Sequence, residues 1–448
     1  MISLIGGALV AVVLGAALAV ASCGIAFALG MRRAVLAVLL VRSSCDPFFN
    51  LIKSALGGEM GPGAAVNALV ISLALLFLLE SPVLIGSAVV PMWAGFLTTA
   101  LVSTIGAPES MKALKIFLSL LSYAAVFALP FGLIRSREWA LRCLTIVMCS
   151  SIIPIVYAFV ELASGSTSAD GIRVKSTFTH PNIFAFYLVI LFALILFMLR
   201  SRLASLPPRV RLWLVLYLPI IIILLLLTGA RAPWIAAAIL LIVYASSIDK
   251  RYLLCLPLVP FISFIPGVEE RISDLQTGNV DYGYAPLNSW AWRKLHWQTA
   301  LDWLMANPSP SLVLGYGLGS FEYYQPEFSP RPVFGAHNVF LQIFFEMGIL
   351  GLLAFLWLFV SLFTKLKKGY SFDKAGSTIM MAFAASFLIN SYSDNTLDYL
   401  VFEWYFWFIM GVVCAWYRLG SMPRPVQDLT SAPRAIEAGS VTVVRHTL

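Results

Sequence analysis

The stretch that decides the fold is Leu212–Ala245, LWLVLYLPIIIILLLLTGARAPWIAAAILLIVYA. Two apolar runs, 212–227 and 235–243, are joined by Thr228-Gly229-Ala230-Arg231-Ala232-Pro233-Trp234. A spanning helix needs about 20 mostly apolar residues. Hydrocarbon offers the backbone no partner, so only helices and closed barrels cross it. The runs therefore read as a helical hairpin through a bilayer. The joining turn is so short that Arg231 must sit at the membrane boundary. Gly229 lets the backbone approach a neighbour closely. Pro233 and Trp234 fit the start of the next helix, with the indole anchored at the interface.

The same ruler marks further spans near 2–30, 34–50 (weak), 64–80, 88–105, 113–134, 139–162, 180–199, 251–267, 338–364, 377–394 and 399–418. With 211–228 and 232–248 this gives 12 or 13. The expected fold is all-α, a polytopic membrane bundle with one large extracytoplasmic loop. Composition agrees: 60% of the 448 residues are hydrophobic and 12% charged, against about 25% charged in soluble domains. The net charge of +8 does not indicate nucleic acid, because the basic residues sit in short loops between apolar runs. The first apolar run, Ile2 to Gly30, lacks a basic leader and is too long for the core of a signal peptide. The six cysteines show no metal-ligand or disulfide spacing and read as small buried hydrophobes.

Lys and Arg clusters fall on alternate loops: Arg32/Arg33, Arg135/Arg137/Arg142, Arg200/Arg202/Arg209/Arg211, Lys250/Arg251, Lys365/Lys367/Lys368/Lys374 and Arg418/Arg424. The positive-inside rule makes these cytoplasmic. Loops 163–179, 228–231, 268–337 and 395–398 are then outside. Four regions follow: 1–267, an N-terminal membrane bundle; 268–337, the extracytoplasmic loop; 338–420, C-terminal membrane helices; and 421–448, a disordered cytoplasmic tail rich in Pro, Ser, Thr and Arg.

The outer side holds the residues that could do chemistry. Arg231 on an outer loop opposes the charge rule. It reads either as a snorkelling interfacial charge or as an anion-binding group. Trp290-Ala-Trp-Arg293-Lys294-Leu-His296-Trp297 has the spacing of a helix with an aromatic face. It fits an amphipathic surface helix, or a site where Arg293 grips phosphate with its planar fork while Trp290 and Trp297 stack on sugar or lipid. Gly315-Tyr-Gly-Leu-Gly319 lacks the strand, helix and Lys-Ser/Thr of a phosphate loop and reads as a turn. His337 stands where the loop re-enters the membrane, and Asn338, Gln342 and Glu346 follow as one polar stripe. Polar groups at membrane depth normally face a bundle interior or cavity. Histidine exchanges protons most readily near neutral pH, which makes His337 a candidate general base; the plainer reading is a helix-start residue. His180, before Pro181, reads as a structural helix start. Arg173 and Lys175 add charge on the same side. Asn390, Asp394 and Asp398 form a second polar stripe, suited to sugar hydroxyls or to pairing with the arginines.

Arginines, aromatics and a histidine on one membrane face suit a lipid diphosphate carrying sugars. Four segments resemble the bacterial O-antigen ligase and polysaccharide polymerase superfamily, lipid-dependent glycosyltransferases of GT-C type: FTHPNIFAFYL, TGARAPW, WRKLHWQTAL…NP…GYGLGSF and AHNVFLQIFFEMGILGLLAF. The resemblance covers roughly 170–365. It implies a GT-C-like bundle and transfer of an undecaprenyl-diphosphate-linked glycan to a sugar hydroxyl, with no metal and no cofactor. Arg231 and Arg293 would hold the diphosphate, and His337 would act as base or orient the acceptor. Arg173, Lys175, Lys294, Trp290, Trp297, Asn338 and Gln342 would contact substrate. The implied partners are the lipid-linked donor, a glycan acceptor, membrane lipid, and the flippase and chain-length regulator of the same pathway, at the inner membrane. Members often carry Ser-Arg-Gly or Ser-Arg-Ser at the first arginine. Here the sequence is Gly-Ala-Arg-Ala, so hydroxyl help from that turn is missing. Surplus cations and loop aromatics (Tyr316, Phe321, Tyr323, Tyr324) favour a polymerase, which handles two lipid-linked glycans, over a ligase. A flippase or a scaffold would not need so long an outer loop.

Overall fold

The computed structural model describes residues 30–56, 62–165, 173–252, 269, 289–307, 311–329 and 334–420. It is an all-α membrane protein. Among the described residues, eight helices are long and apolar enough to cross a bilayer. In our numbering they are α3 (Pro62–Glu80), α4 (Pro82–Ile105), α5 (Ser110–Leu133), the pair α6 (Arg137–Ser150) and α7 (Ile152–Ser164) as one span, α8 (Pro181–Arg200), α9 (Pro208–Leu227), α14 (Val339–Lys368) and α16 (Leu400–Gly420).

The remaining expected spans divide by cause. Those at 2–30 and 251–267 lie outside the described residues. The weak span at 34–50 breaks into α1 (Met31–Val41), a 3-10 turn and α2 (Asp46–Leu56), bent by 80°. At the break, Arg42 is buried and bonded to Asp46 at 2.7 Å. A continuous helix would have left that charge facing lipid. Helix α10 (Arg231–Ser247) is short at 17 residues. Helix α15 (Lys374–Ser391) carries Ser and Asn but is packed inside the bundle, against α8, α10 and α14.

Helices α8 and α16 form the centre. Almost every residue of 184–198 and 401–415 is buried, as expected of sequences that are apolar on all sides. Lipid-facing helices keep exposed apolar groups, such as Leu79 on α3 and Trp213 on α9. Helix α8 starts as its sequence suggests: His180 is the cap, its Nδ1 accepting from the Asn182 N–H at 3.1 Å, with Pro181 at the first position.

The chain alternates between two ends of the bundle. The basic clusters collect at one end, where Arg135 pairs with Glu80 at 2.9 Å, Arg200 pairs with Asp249, and Arg418 donates to the Leu84 carbonyl. The opposite end carries 173–180, 228–231, 289–307, 311–329, 334–337 and 392–399. There the long loop folds as α11 (Ser289–Ala306), α12 (Ser311–Leu314) and α13 (Ser320–Phe328). It has its own core of Trp297, Ala300, Leu304 and Phe321, closed by Ala336, Leu341 and Phe345 from the α14 entry. Burial of this aromatic cluster replaces membrane packing as the force that orders the loop.

The Gly315–Gly319 segment is a turn with a structural task. Gly348 (φ +64) breaks the backbone of α14 and releases carbonyls from the helical pattern. The Tyr316 N–H donates to Phe345 O at 2.9 Å and the Gly317 N–H to Glu346 O at 3.0 Å. Ser103 Oγ adds a bond to Glu346 O at 2.5 Å. Gly315 and Gly317 both have positive φ, and a Cβ on either would overlap a backbone, that of Glu346 or Ala107. These N–H groups serve the helix break, so the segment does not cradle phosphate.

Candidate functional site

His337 stands at this end, just before α14. Its φ is +48, in the left-handed region, where histidine is among the enriched residues. Neighbours on both sides hold that conformation. Trp297 Nε1 donates to Ala336 O at 2.7 Å. The Asn338 N–H donates to Asn395 Oδ1 at 3.1 Å, and Asn338 Oδ1 caps α14 by accepting from the Leu341 N–H at 3.1 Å. Strain at one residue persists only where its surroundings over-determine it, and here three fixed contacts do so.

Behind the ring stands Asp394. His337 Nδ1 lies 3.6 Å from Asp394 Oδ1, with the carboxylate 2% exposed and the imidazole 29%. Nδ1 is the buried face, so the ring's accessible part points away from the carboxylate. Asp394 is held by the Tyr399 hydroxyl at 2.7 Å, the Asn395 N–H at 2.9 Å and Asn182 Nδ2 at 3.1 Å. Burial alone would raise its pKa. The His337 bond and charge, the Tyr399 hydroxyl and the Arg293 guanidinium together outweigh burial and hold the carboxyl below its ordinary range. The site therefore has an ionised, immobile acid behind an imidazole. The carboxylate faces the buried Nδ1 across 3.6 Å, longer than a hydrogen bond.

Asn182 carries the network on to the arginines. Its Oδ1 accepts from Arg173 Nη2 at 2.9 Å, and Arg173 Nε donates to Thr228 O at 2.9 Å. The turn holding Arg231 is thus braced by Arg173. Gly229 (φ +62) lies directly on the Arg173 side chain, the close approach its sequence position suggested. Thr228 Oγ1 accepts from the Ala230 N–H, and Trp234 Nε1 donates back to Leu225 O at 2.8 Å. Arg231 is the first residue of α10, and its Nη2 donates to Ser289 Oγ at 2.6 Å. The hydroxyl missing from the turn is thus supplied by α11. Ser289 opens α11, and Arg293 lies four residues on, on the same helical face. Arg231 and the N-termini of α10 and α11 meet there, with Arg293 one turn along α11. Both the N–H groups and the dipoles of such termini favour an anion.

The other expected site residues have more varied positions. Trp290 is 38% exposed and makes an edge contact with Trp297 at 5.6 Å. Trp297 itself is 8% exposed with its N–H committed to Ala336, so it positions His337 from below instead of offering a stacking face. Asn338 is a buried cap. Gln342 lines a crevice and donates to Glu346 Oε1 at 3.3 Å. Lys175 and Lys294 are exposed. The Lys175 main chain is bonded to Glu161, and Lys294 is turned about 100° around α11 from Arg293. His296 is buried, stacked on Trp292 at 5.3 Å within the loop core.

Asp394 was visible only as part of a helical stripe with Asn390 and Asp398, and that reading needs correction. Helix α15 ends at Ser391 and a 3-10 turn covers Thr396–Asp398, so the two aspartates lie in a connecting segment. The stripe gave no sign of its partner, His337, which lies far off in the sequence. Asp398 faces a crevice shared with hydrophobic side chains. Desolvation first, then the charges of Glu322 and Asp394, raise its pKa to about 7. It is exposed on the wall of that crevice.

The structure is thus an all-helical membrane bundle with arginines and a histidine–carboxylate pair at one end. Residues 216–356 match the Wzy_C family model, described as O-antigen ligase. That segment is similar to the O-antigen ligase family, which supports the superfamily its motifs suggested. No curated protein matches it. The matched segment contains Arg231, Arg293 and His337. Arg173, Asn182 and Asp394 lie outside it and reach the site through the fold.

Proposed function

We propose that this protein transfers a glycan from undecaprenyl diphosphate to a sugar hydroxyl, on the side of the inner membrane away from the cytoplasm. The observation that carries the reading is the continuous chain His337–Asp394–Asn182–Arg173–Thr228, which ties the candidate base to the turn bearing Arg231. A base and an anion clamp held in one network can act on the two ends of one displacement.

In that displacement the acceptor oxygen attacks the anomeric carbon and passes its proton to His337 Nε2. The bond from that carbon to the diphosphate oxygen breaks, and the leaving undecaprenyl diphosphate takes the electron pair. Arg231 and Arg293 stabilise the developing charge, an effect that is usually the largest catalytic contribution. Asp394 stabilises the imidazolium. The anomeric centre inverts.

The choice of acceptor shifts from the expectation. The argument for a polymerase used spare cations and stacking aromatics. Arg173 is committed to bracing the 228–231 turn. Tyr316, Phe321 and Tyr324 are committed to the loop core, with Tyr316 and Phe321 both packed on Phe345. With Arg173, Tyr316, Phe321 and Tyr324 so engaged, and with the matched family described as O-antigen ligase, transfer to a lipid-A core or similar acceptor becomes the favoured reading and polymerisation the alternative; Lys175, Lys294 and Tyr323 remain exposed, and Arg331 lies outside the described residues. Deleting the gene and running surface glycans on a gel decides. Long polymer that stays on the lipid carrier supports a ligase. Single repeat units or lost polymer support a polymerase.

Orientation has its own test. Ser320 is fully buried and useless for labelling, whereas Tyr323 is 49% exposed. Tyr323→Cys should react with a membrane-impermeant maleimide in outer-permeabilised cells. Reaction only after the inner membrane is broken would overturn the outward placement.

A further inference from the structure

Two residues beyond His337, at Val339, the chain enters the lining of a crevice of about 230 Å³ between α5, α14 and the start of α16. Two polar segments of the sequence meet on one wall: Gln342 and Glu346 from α14, Asn395 and Asp398 from the 392–399 connection. Phe96, Ile116 and Ile343 give the lining apolar surface as well, and Lys115 and Ser119 also line the crevice. Asn395 belongs to both places. Its side chain lines the crevice, and its Oδ1 fixes the Asn338 N–H next to His337.

We propose that this crevice is a subsite for one uncharged, hydroxyl-rich sugar ring of the acceptor, a proposal that rests on the reading of His337 as the group facing the acceptor hydroxyl. A sugar ring has polar edges and apolar C–H faces, and the mixed lining offers partners for both. Carboxylates and side-chain amides accept from and donate to hydroxyls, with no need for a net charge on the ligand. A diphosphate or an acidic sugar would face two carboxyl groups, Glu346 and Asp398, with Lys115 as the one cation in this lining. A prenyl chain would fill the apolar wall but strand a buried carboxylate and two amides, each a desolvation cost. The arrangement divides the work of the site. Anionic donor chemistry lies with Arg231 and Arg293, and neutral acceptor chemistry lies on the far side of the 335–338 segment.

The test measures occupancy, not transfer, so it is independent of the reaction assigned above. Full-length protein in nanodiscs, with native cysteines changed to alanine, carries Ser119→Cys, or Lys115→Cys as a second position. Maleimide labelling is timed with added methyl glucoside, galactoside or mannoside, with methyl glucuronoside, or with farnesol. We expect at least one neutral glycoside to slow labelling saturably and glucuronoside not to. In the same background Asp398→Leu should weaken that protection about tenfold, the scale of one charge-assisted hydrogen bond. Protection by none of the neutral glycosides at either position overturns the proposal. So does protection by farnesol alone, which would make the crevice a lipid groove, or equal protection by glucuronoside.

Discussion

Replacing Asp394 by Asn keeps its shape and removes its charge. The carboxylate accepts three hydrogen bonds and faces His337 Nδ1 at 3.6 Å. An amide can present oxygen on only one side. With its NH2 toward Asn182 it opposes a donor; turned round, it opposes the Asn395 N–H and His337. One buried donor is left unsatisfied either way, at a cost of about 1–3 kcal/mol in stability. Catalysis loses the charge that holds and stabilises the imidazolium. A hydrogen bond to a charged group contributes about 1.5–3 kcal/mol, so kcat should fall roughly ten- to 150-fold. Donor KM should not rise, because removing an anion near Arg293 leaves the diphosphate side at least as positive. The assay is transfer from lipid-linked donor with purified variant and wild type, fitted for kcat and donor KM separately. Unchanged kcat with a raised donor KM would refute the reasoning, because it would make Asp394 a prop for the arginines and not for His337. The low pKa of Asp394 adds a stability signature. A depressed acid contributes stability above its unfolded value, near 3.8, and loses it as pH falls through the folded value. The wild type's excess stability over Asp394→Asn should therefore fade only below about pH 4.

Other substitutions probe separate parts of the account. Arg231→Ala should lose about 2–4 kcal/mol of transition-state stabilisation in the transfer assay, and Arg231→Lys should be impaired because it keeps charge but not the planar fork; wild-type turnover by the alanine variant would remove the diphosphate role. Gly348→Ala should lower the melting temperature in detergent, because φ +64, ψ −168 is a backbone region open almost only to glycine and a Cβ there overlaps Val313; an unchanged melting temperature would mean that the helix break is not fixed. Asp398 is a raised acid, so its folded form holds a proton that the unfolded form has released, and it lowers stability as pH rises from about 4 through 7. The wild type should lose thermal stability across that window relative to Asp398→Asn, and parallel curves would contradict the shift.

The sequence made some of this legible and hid the rest for identifiable reasons. Apolar runs reveal spans because burial in lipid is decided within one segment. That is why α3 to α9, α14 and α16 fall where hydropathy placed them, and why α1–α2, interrupted by Arg42 and Asp46, did not. The 228–231 turn was readable because Gly229 and Arg231 are unusual locally. His337 was noticed by its position at a helix start, but its partner was not, since Asp394 is 57 residues further on, in a segment whose spacing imitated a helix. Trp297 looked like a stacking face because sequence shows an aromatic and not which way its N–H is spent. The broken α14, with Gly315–Gly319 supplying its missing donors, depends on two segments meeting and leaves no periodic trace.

The central claim is that one base and an arginine pair perform glycan transfer. Its most direct measurement is the reconstituted reaction: purified protein, undecaprenyl-diphosphate-linked glycan and acceptor glycolipid, with products separated and the new linkage identified by mass and NMR. The account predicts a new glycosidic bond of inverted anomeric configuration, release of undecaprenyl diphosphate, and loss of the product in His337→Ala while donor binding persists. Transfer that proceeds at the wild-type rate without His337, or a product of retained configuration, would contradict it.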